Sequence, residues 1–184
     1  MENQKLEDGS GDGMTYAQAF YKIGKSLNLS PYFLAARVRQ EQGLKGSSAL
    51  ISGTHPGFEG CYNYFNIGAS GPTKEAIYAS GLTEARNEGW TSRYAALEYG
   101  AKKVAANYIS KGQDALYLQK FNVVDNGRAF WGQYMQNLLA ADNEGKTMRK
   151  AYANINALEN SYAFKIPVYQ GMPVEASPNP DVKN

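Results

Sequence analysis

The sequence has very little of what several common kinds of catalytic site require. Cys61 is the only cysteine and His55 the only histidine among 184 residues. No intrachain disulfide can form, a zinc site would lack ligands, and any Ser-His-Asp or Cys-His arrangement would depend on His55. No Walker A or dinucleotide-type glycine motif is present. We therefore expect chemistry without a metal or a cofactor, and we interpret His55 as a loop residue.

Long apolar runs and a strong charge of either sign are also missing. No apolar stretch is long enough to span a membrane, and we find no signal peptide. If the protein is exported, we expect its targeting segment to lie outside this sequence, together with any membrane anchor or membrane-anchored partner. The net charge of +2 is too small to favour nucleic acid but is compatible with an anionic polymer. The 14 Tyr, 7 Phe and 2 Trp suit a sugar-binding groove, because aromatic faces stack on sugar rings.

The spacing of apolar residues predicts one domain built mostly of helices. The predicted helices cover residues 16–27, 30–43, 74–85, 91–110, 114–121, 128–141 and 146–160, and residues 44–58 form a loop lobe with short strands. Phe164, Ile166 and Val168 alternate and predict one late edge strand. Composition indicates a disordered lead over residues 1–13, the domain over 14–172, and a mobile C-terminal tail over 173–184.

The second predicted helix carries a carboxyl group in an unusual place. Leu34, Val38 and Glu41 fall on one stripe of that helix, so Glu41 interrupts its apolar face. Burial and the negative end of the helix dipole both favour the protonated form of a carboxyl group there. A general acid that protonates a glycosidic oxygen needs that form. The alternative for Glu41 is a solvated carboxylate at a frayed helix end, paired with Arg37 or Lys45.

Two stretches beside this helix carry a specific pattern. The helix ends in Glu41-Gln42-Gly43, and it is followed by GSSALISG at residues 46–53 and by YNYFNIGA at residues 62–69. Together they resemble the glucosaminidase domain of bacterial cell-wall autolysins, glycoside hydrolase family 73, whose members are endo-β-N-acetylglucosaminidases that cut peptidoglycan. Shorter pieces at 89–91, 116–123 and 133–137 agree, so the resemblance runs from about residue 16 to residue 172.

The resemblance implies a mainly α, α+β, lysozyme-like fold in which a helical lobe and a small β/loop lobe form a glycan cleft. It implies that Glu41 is the general acid and that the substrate-binding residues are Tyr62, Asn63, Tyr64, Asn66 and Tyr134. The expected substrate is the glycan strand of peptidoglycan, cleaved after N-acetylglucosamine outside the cell or in the wall. We expect a monomer with no nucleic-acid partner.

The second carboxylate of a glycosidase is not identified by the sequence. Glu59 lies in the facing lobe, and Glu75, Glu84 and Glu88 are further candidates, although a solvated surface charge is the better explanation for each of them. The N-acetyl group of the substrate is an alternative nucleophile. Two other functions stay open: a lytic transglycosylase that cuts after N-acetylmuramic acid, and a non-catalytic wall-binding module. Glu41 argues against the module, because binding alone has no use for an acid on an apolar stripe.

Overall fold

Six α-helices dominate the part of the chain that the computed structural model describes, which is residues 3–43, 45–124, 127–134, 137–162, 164 and 166–175. In chain order they are α1 (Tyr16–Leu27), α2 (Pro31–Gln42), α3 (Lys74–Asn87), α4 (Arg93–Asn107), α5 (Leu116–Phe121) and α6 (Ala140–Asn154), with short 3-10 turns at Ala49–Ile51 and Ile109–Lys111. The first five predicted helices are confirmed, with small shifts at their ends. None of the described helices is both long and apolar enough to cross a membrane.

Polar side chains determine where four of these helices begin. Thr15 and Gln18 form a reciprocal capping box at α1, in which the Gln18 side chain accepts the Thr15 N–H at 2.8 Å. Ser30 caps α2, and Thr73 and Ser92 do the same for α3 and α4. Each such cap contributes about 1 kcal/mol by satisfying an N–H that has no partner inside the helix.

The helix that carries Glu41 is packed on two sides. α1 packs against α2 and α4, and Ile23, Leu34 and Leu97 are buried in the core between these helices. α6 packs against α2 and α5. α2 is therefore held in place by α1 and α6, and this packing also fixes the backbone of Glu41 in its last turn.

The small lobe between α2 and α3 is made of turns and not of short strands. In the described part of this lobe, the regular structure is the 3-10 turn at Ala49–Ile51. Single backbone hydrogen bonds tie it together, including Asn63 N–H to the Leu50 carbonyl at 2.6 Å and Tyr62 N–H to the Trp90 carbonyl at 3.1 Å. The predicted lobe is therefore a loop lobe, and its described residues form none of the expected short strands because side chains and isolated backbone bonds replace a ladder.

The helix predicted over residues 128–141 is also wrong. Residues 127–134 form turns, and Gly127, Phe130 and Gly132 all have positive φ, which a right-handed helix does not allow. Trp131 and Leu138 are 76% and 70% exposed, so the apolar stripe that suggested a helix is not buried. Residues 135 and 136 lie outside the described residues. The last helix begins at Ala140, well before the predicted start at residue 146.

The late strand predicted from alternation is not formed by the described residues. Phe164, Ile166 and Val168 are 81%, 76% and 82% exposed and pair with no other described segment. Alternation alone does not make a strand when no neighbouring edge is available for hydrogen bonds. Residues 163 and 165 lie outside the described residues. In the predicted C-terminal tail, residues 173–175 are exposed and 176–184 lie outside the described residues.

The predicted disordered lead instead folds onto the domain over residues 3–13. Leu6 is 2% exposed and belongs to the main core. Asp8 Oδ2 accepts the Arg93 N–H at 2.7 Å and Ser10 Oγ accepts the Tyr94 N–H at 2.9 Å, so this segment caps the start of α4. Its Gly-rich composition reflects tight turns with positive φ, and the domain therefore starts before residue 14.

Candidate active site

Glu41 lies in the last turn of α2, where its carboxyl group is held from both sides. Gly43, with a φ of +75°, follows the helix directly. The Tyr134 hydroxyl donates to Glu41 Oε1. Asn66 Nδ2 donates to Glu41 Oε2 at 3.0 Å and to the Glu41 backbone carbonyl at 3.1 Å. Three residues that the sequence predicted separately are therefore brought together by the fold.

Asn66 points its amide nitrogen at Glu41 because its other end is fixed. Gln42 Nε2 donates to Asn66 Oδ1 at 2.7 Å, which leaves Nδ2 free to face the carboxylate. Gln42 is buried and also donates to the carbonyls of Asn63 and Tyr64. Asn66 has a φ of +51°, in the left-handed region that asparagine adopts more readily than most residues.

Tyr134 is a neutral hydrogen-bond donor on the opposite side of Glu41. Burial raises the pKa of the Tyr134 phenol, the Arg37 charge opposes that change, and the adjacent Glu41 carboxylate adds to it, so the net shift is upward. The hydroxyl therefore stays protonated at neutral pH and can donate. The ring of Tyr108 meets the Tyr134 ring edge-on at 5.2 Å, which gives the site an aromatic wall.

A cleft of about 530 Å³ opens in front of these groups. Its volume lies in the range of about 300–1,000 Å³ that is usual for small-ligand sites. Its lining combines one carboxylate, one cation, two tyrosines, two amides and apolar floor residues: Glu41, Lys103, Tyr108, Tyr134, Asn66, Asn107, Phe65, Ile67, Gly68, Ala69 and Val104. A polar amide-rich surface beside aromatic rings suits an N-acetylated sugar, since amides pair with amides and rings pack on sugar C–H faces.

Comparisons with known proteins identify relatives along most of the chain. No family model matches it. The bifunctional autolysin of Staphylococcus epidermidis is 27% identical over 175 residues, which are 90% of this chain and 12% of that protein. A β-N-acetylglucosaminidase of Bacillus subtilis is 29% identical over 123 residues, which are 65% of this chain and 14% of that protein. The chain thus spans a small fraction of the length of these relatives.

A solved structure shares the fold. A catalytic mutant of S. aureus autolysin E, crystallised in complex with the disaccharide NAG-NAM, matches with a TM-score of 0.62 at 27% identity, over 76% of this chain and 60% of that chain. The chain is similar in sequence to an autolysin and to a β-N-acetylglucosaminidase, and in fold to autolysin E. The predicted resemblance is confirmed, and so is the mainly helical, lysozyme-like fold.

Three of the predicted substrate-binding residues of this autolysin-like domain lie in its core and not in its cleft. Asn63 is 0% exposed, and its Nδ2 donates to the carbonyls of Ile67 and Gly81 at 2.8 and 2.9 Å. The rings of Tyr62 and Tyr64 are buried as well. The Asn63 amide and the Tyr64 hydroxyl, which lies 2.8 Å from the Tyr16 hydroxyl, form hydrogen bonds inside the fold. These three residues do not line the cleft beside Glu41, and their role in glycan binding stays a prediction. Asn66 and Tyr134 do line the cleft, so they remain candidates for substrate contact.

The candidate second carboxylates of this autolysin-like domain do not reach the cleft. Glu59 is exposed, and hydrogen bonds from its own N–H and from that of Gly57 hold its pKa below the ordinary value. Glu75 is exposed in the first turn of α3. Glu84 and Glu88 lie 3.9 and 3.0 Å from the Lys103 ammonium group. Among the described residues, Glu41 is the only carboxylate that lines the cleft.

Three residues beneath the site were missed by sequence reasoning. Arg37 and Glu144 form a buried ion pair, and Gln119 accepts a second hydrogen bond from Arg37. Arg37 lies four residues before Glu41 and was considered only as its ion-pair partner. No local signal in the sequence marks an ion pair between residues 107 positions apart. Cys61 is buried with a free thiol, and His55 lies in a loop beside the Phe58 and Tyr78 rings.

Proposed function

We propose that this domain is a peptidoglycan hydrolase, an endo-β-N-acetylglucosaminidase that cleaves the β-1,4 bond after N-acetylglucosamine with Glu41 as the general acid. The observation that carries this proposal is the position of Glu41 at a helix end, where it is the only carboxyl group among the described residues that lines the cleft. The glutamate-to-alanine replacement in autolysin E, described as a catalytic mutant and bound to NAG-NAM, supports a catalytic glutamate in this fold and a peptidoglycan-derived ligand.

The chemistry that suits this cleft uses one protein carboxyl group. Glu41 gives its proton to the glycosidic oxygen as the bond from that oxygen to the anomeric carbon breaks. No second carboxylate lines the cleft among the described residues, which supports attack on the anomeric carbon by the carbonyl oxygen of the substrate's own acetamido group. A water molecule then attacks that carbon, breaks its bond to the acetamido oxygen and gives a proton to Glu41, so the two displacements retain the configuration.

The cleft lining supplies a role for the neighbours of Glu41 in this scheme. We propose that Asn66 and Tyr134 keep the carboxyl group directed into the cleft and that the phenol of Tyr134 also bonds the acetamido group of the substrate. Asn107 and Tyr108 offer further donors and acceptors along the cleft wall. We propose that the domain acts at the cell wall, where its substrate is found, as a monomer.

The identity of the new chain ends tests this function. Purified peptidoglycan is digested with the wild-type domain and, as a matched control, with Glu41→Gln, and the fragments are analysed by mass spectrometry after borohydride reduction. Reduced N-acetylglucosamine ends from the wild type alone support the proposal. Ends in 1,6-anhydro-N-acetylmuramic acid would show that the same acid works in a lytic transglycosylase. Binding to the wall with no new ends would indicate a wall-binding module.

A further inference from the structure

A buried ion pair beneath the cleft has no part in the chemistry described above. Arg37 Nε lies 3.1 Å from Glu144 Oε1, and the two side chains are 0% and 1% exposed. The pair joins α2 to α6 across 107 positions of sequence. Because both charges must leave water, a buried pair of this kind is weak evidence for stability and is often replaceable by apolar side chains.

The pair is also incompletely satisfied. Among the described residues, neither Arg37 Nη1 nor Glu144 Oε2 has a hydrogen-bond partner, although both atoms are buried. Burial raises the pKa of Glu144, while the Arg37 charge opposes that change. The unpaired atoms add to the cost of burying the two charges, so stability is a weak reason for this pair.

Arg37 provides a flat surface against which Tyr134 packs. The central carbon of its guanidinium group lies 3.8 Å from the centre of the Tyr134 ring. Its Nη2 donates to Gln119 Oε1 at 2.7 Å, and the Gln119 backbone carbonyl accepts the Tyr134 N–H at 2.8 Å. The ring and the backbone of Tyr134 are thus held by a single connected cluster.

The spacing along α2 links this cluster to the active site. Arg37 and Glu41 are one helical turn apart and lie on the same face. The same helix therefore carries both the surface under the Tyr134 ring and the carboxyl group that accepts its hydroxyl. Tyr134 itself belongs to the turn segment 127–134, where no regular secondary structure holds it.

We propose that Arg37 and Glu144 are positioning residues of this hydrolase. Glu144 orients the guanidinium group of Arg37, Arg37 holds the ring of Tyr134, and the Tyr134 hydroxyl keeps the Glu41 carboxyl group directed into the cleft. Neither Arg37 nor Glu144 lines the cleft, so both act through Tyr134. This inference rests on the proposed role of Glu41.

The double replacement Arg37→Met with Glu144→Leu tests the role of the pair. It substitutes apolar side chains of similar length for a buried pair, a change that is often neutral or stabilising. We expect kcat on soluble glycan fragments to fall about 10- to 100-fold with KM changed less than about twofold, because a displaced catalytic group slows chemistry more than binding. A folded variant with wild-type kcat would overturn the proposal. The control Asp142→Asn breaks an exposed pair on α6 and should change neither constant.

The same replacement in a Tyr134→Phe background separates positioning from general structure. Once the hydroxyl is gone, loss of the ion pair should cost less than about twofold in kcat, because coupled residues are non-additive. Equal losses in both backgrounds would show that Arg37 and Glu144 do not act through Tyr134. Should the double replacement fail to fold, Arg37→Lys keeps the charge, removes the flat face and enters the same cycle.

A crystal structure of the variant gives a readout that does not depend on activity. The Tyr134 hydroxyl should leave Glu41 when the pair is replaced, whatever the domain hydrolyses. An unmoved Tyr134 would overturn this inference and leave the proposed function intact. A wild-type domain that never cleaves peptidoglycan would overturn the proposed function, while a displaced Tyr134 would still show that the pair positions it.

Discussion

On one side of Glu41 the loop lobe holds Oε2 through neutral amides, whereas on the other side the helical lobe holds Oε1 through a tyrosine that packs on buried charge. The amide side, Gln42 to Asn66, spans 24 positions of sequence. The charged side depends on Arg37 and Glu144, which are 107 positions apart. A local motif builds one support, and tertiary packing of three helices builds the other.

The two supports should respond differently to mutation. The amide side is anchored by a buried Gln42 whose Nε2 donates to three acceptors, so it is rigid without any charge. The charged side ends in a tyrosine on a turn, and it needs two desolvated charges to be in place. We therefore expect mutations on the charged side to reduce activity more than mutations on the amide side.

The largest expected effect among the supports is that of Tyr134→Phe. The ring and its packing on Arg37 remain, but Glu41 loses the donor to Oε1 and the proposed contact of the phenol with the acetamido group is lost. We expect initial rates of wall lysis to fall about 10- to 100-fold with little change in the midpoint of thermal unfolding. Lysis at the wild-type rate by a folded Tyr134→Phe domain would show that the Tyr134 hydroxyl does not support the function of Glu41.

A smaller loss is expected when the amide side is removed with Asn66→Gly. Glycine keeps the positive φ of this position and deletes only the side chain that donates to Glu41. We expect kcat to fall about 10-fold, as for the loss of one orienting hydrogen bond. The matched variant Asn66→Ala should lose the same activity and about 1–2 kcal/mol more stability, since alanine is strained at that φ. Equal unfolding free energies for the two variants would contradict the backbone part of this argument.

Glu59→Ala is expected to change little, because Glu59 belongs to neither support. Its carboxylate is exposed and accepts the Gly57 N–H at 3.1 Å in its own loop. We expect lysis within about twofold of wild type and no rescue by added azide. An inactive, folded and azide-rescued variant would restore a two-carboxylate mechanism and show that the cleft takes in a group from the loop lobe.

The smallest effect is expected far from Glu41, with Asp8→Asn. Although burial raises the pKa of Asp8, hydrogen bonds from the Arg93 N–H and from Ser10 outweigh it and leave the pKa below its ordinary value. The ionised form therefore stabilises the fold above the unfolded-state pKa, and this contribution is lost as the pH falls through the folded-state pKa.

Urea unfolding at two pH values checks this sign. The variant should lose about 0.3–1 kcal/mol at neutral pH, where a negative charge favours the start of a helix, and nothing once Asp8 is protonated in both states. Wall lysis should be unchanged. An equal loss of unfolding free energy at both pH values would contradict this argument. It would mean that Asp8→Asn changes the hydrogen-bond geometry at the start of α4, and that the charge does not matter.

Glu41 and the amide side could be predicted from the sequence, because short stretches of neighbouring residues mark both of them. Glu41 stands out as a carboxyl group on the stripe of Leu34 and Val38, and Asn66 lies in a short run with a specific pattern. Tyr134 was predicted to face the cleft, although the helix assigned to it is a set of turns. Its contact with Glu41 depends on Gln119 and Arg37, and apolar spacing carries no information about either.

The charged side could not be predicted for the same physical reason. Glu144 lies in a stretch that sequence spacing left between two helices, whereas α6 runs through it. Its partner is on α2, and nothing local marks a salt bridge between elements so distant in sequence. The Gly-rich start of the chain was predicted to be disordered because tight turns and disordered segments have similar compositions. Only its contact with α4 shows that residues 3–13 are folded.

The most direct test of the account is the rate at which Glu41→Gln hydrolyses purified peptidoglycan. The amide has nearly the same shape, so circular dichroism and thermal unfolding should be unchanged, while loss of a positioned general acid should slow hydrolysis by about 10²- to 10⁴-fold. A folded Glu41→Gln domain that releases N-acetylglucosamine ends at close to the wild-type rate would contradict the central claim, since both supports would then be holding a residue that does no chemistry.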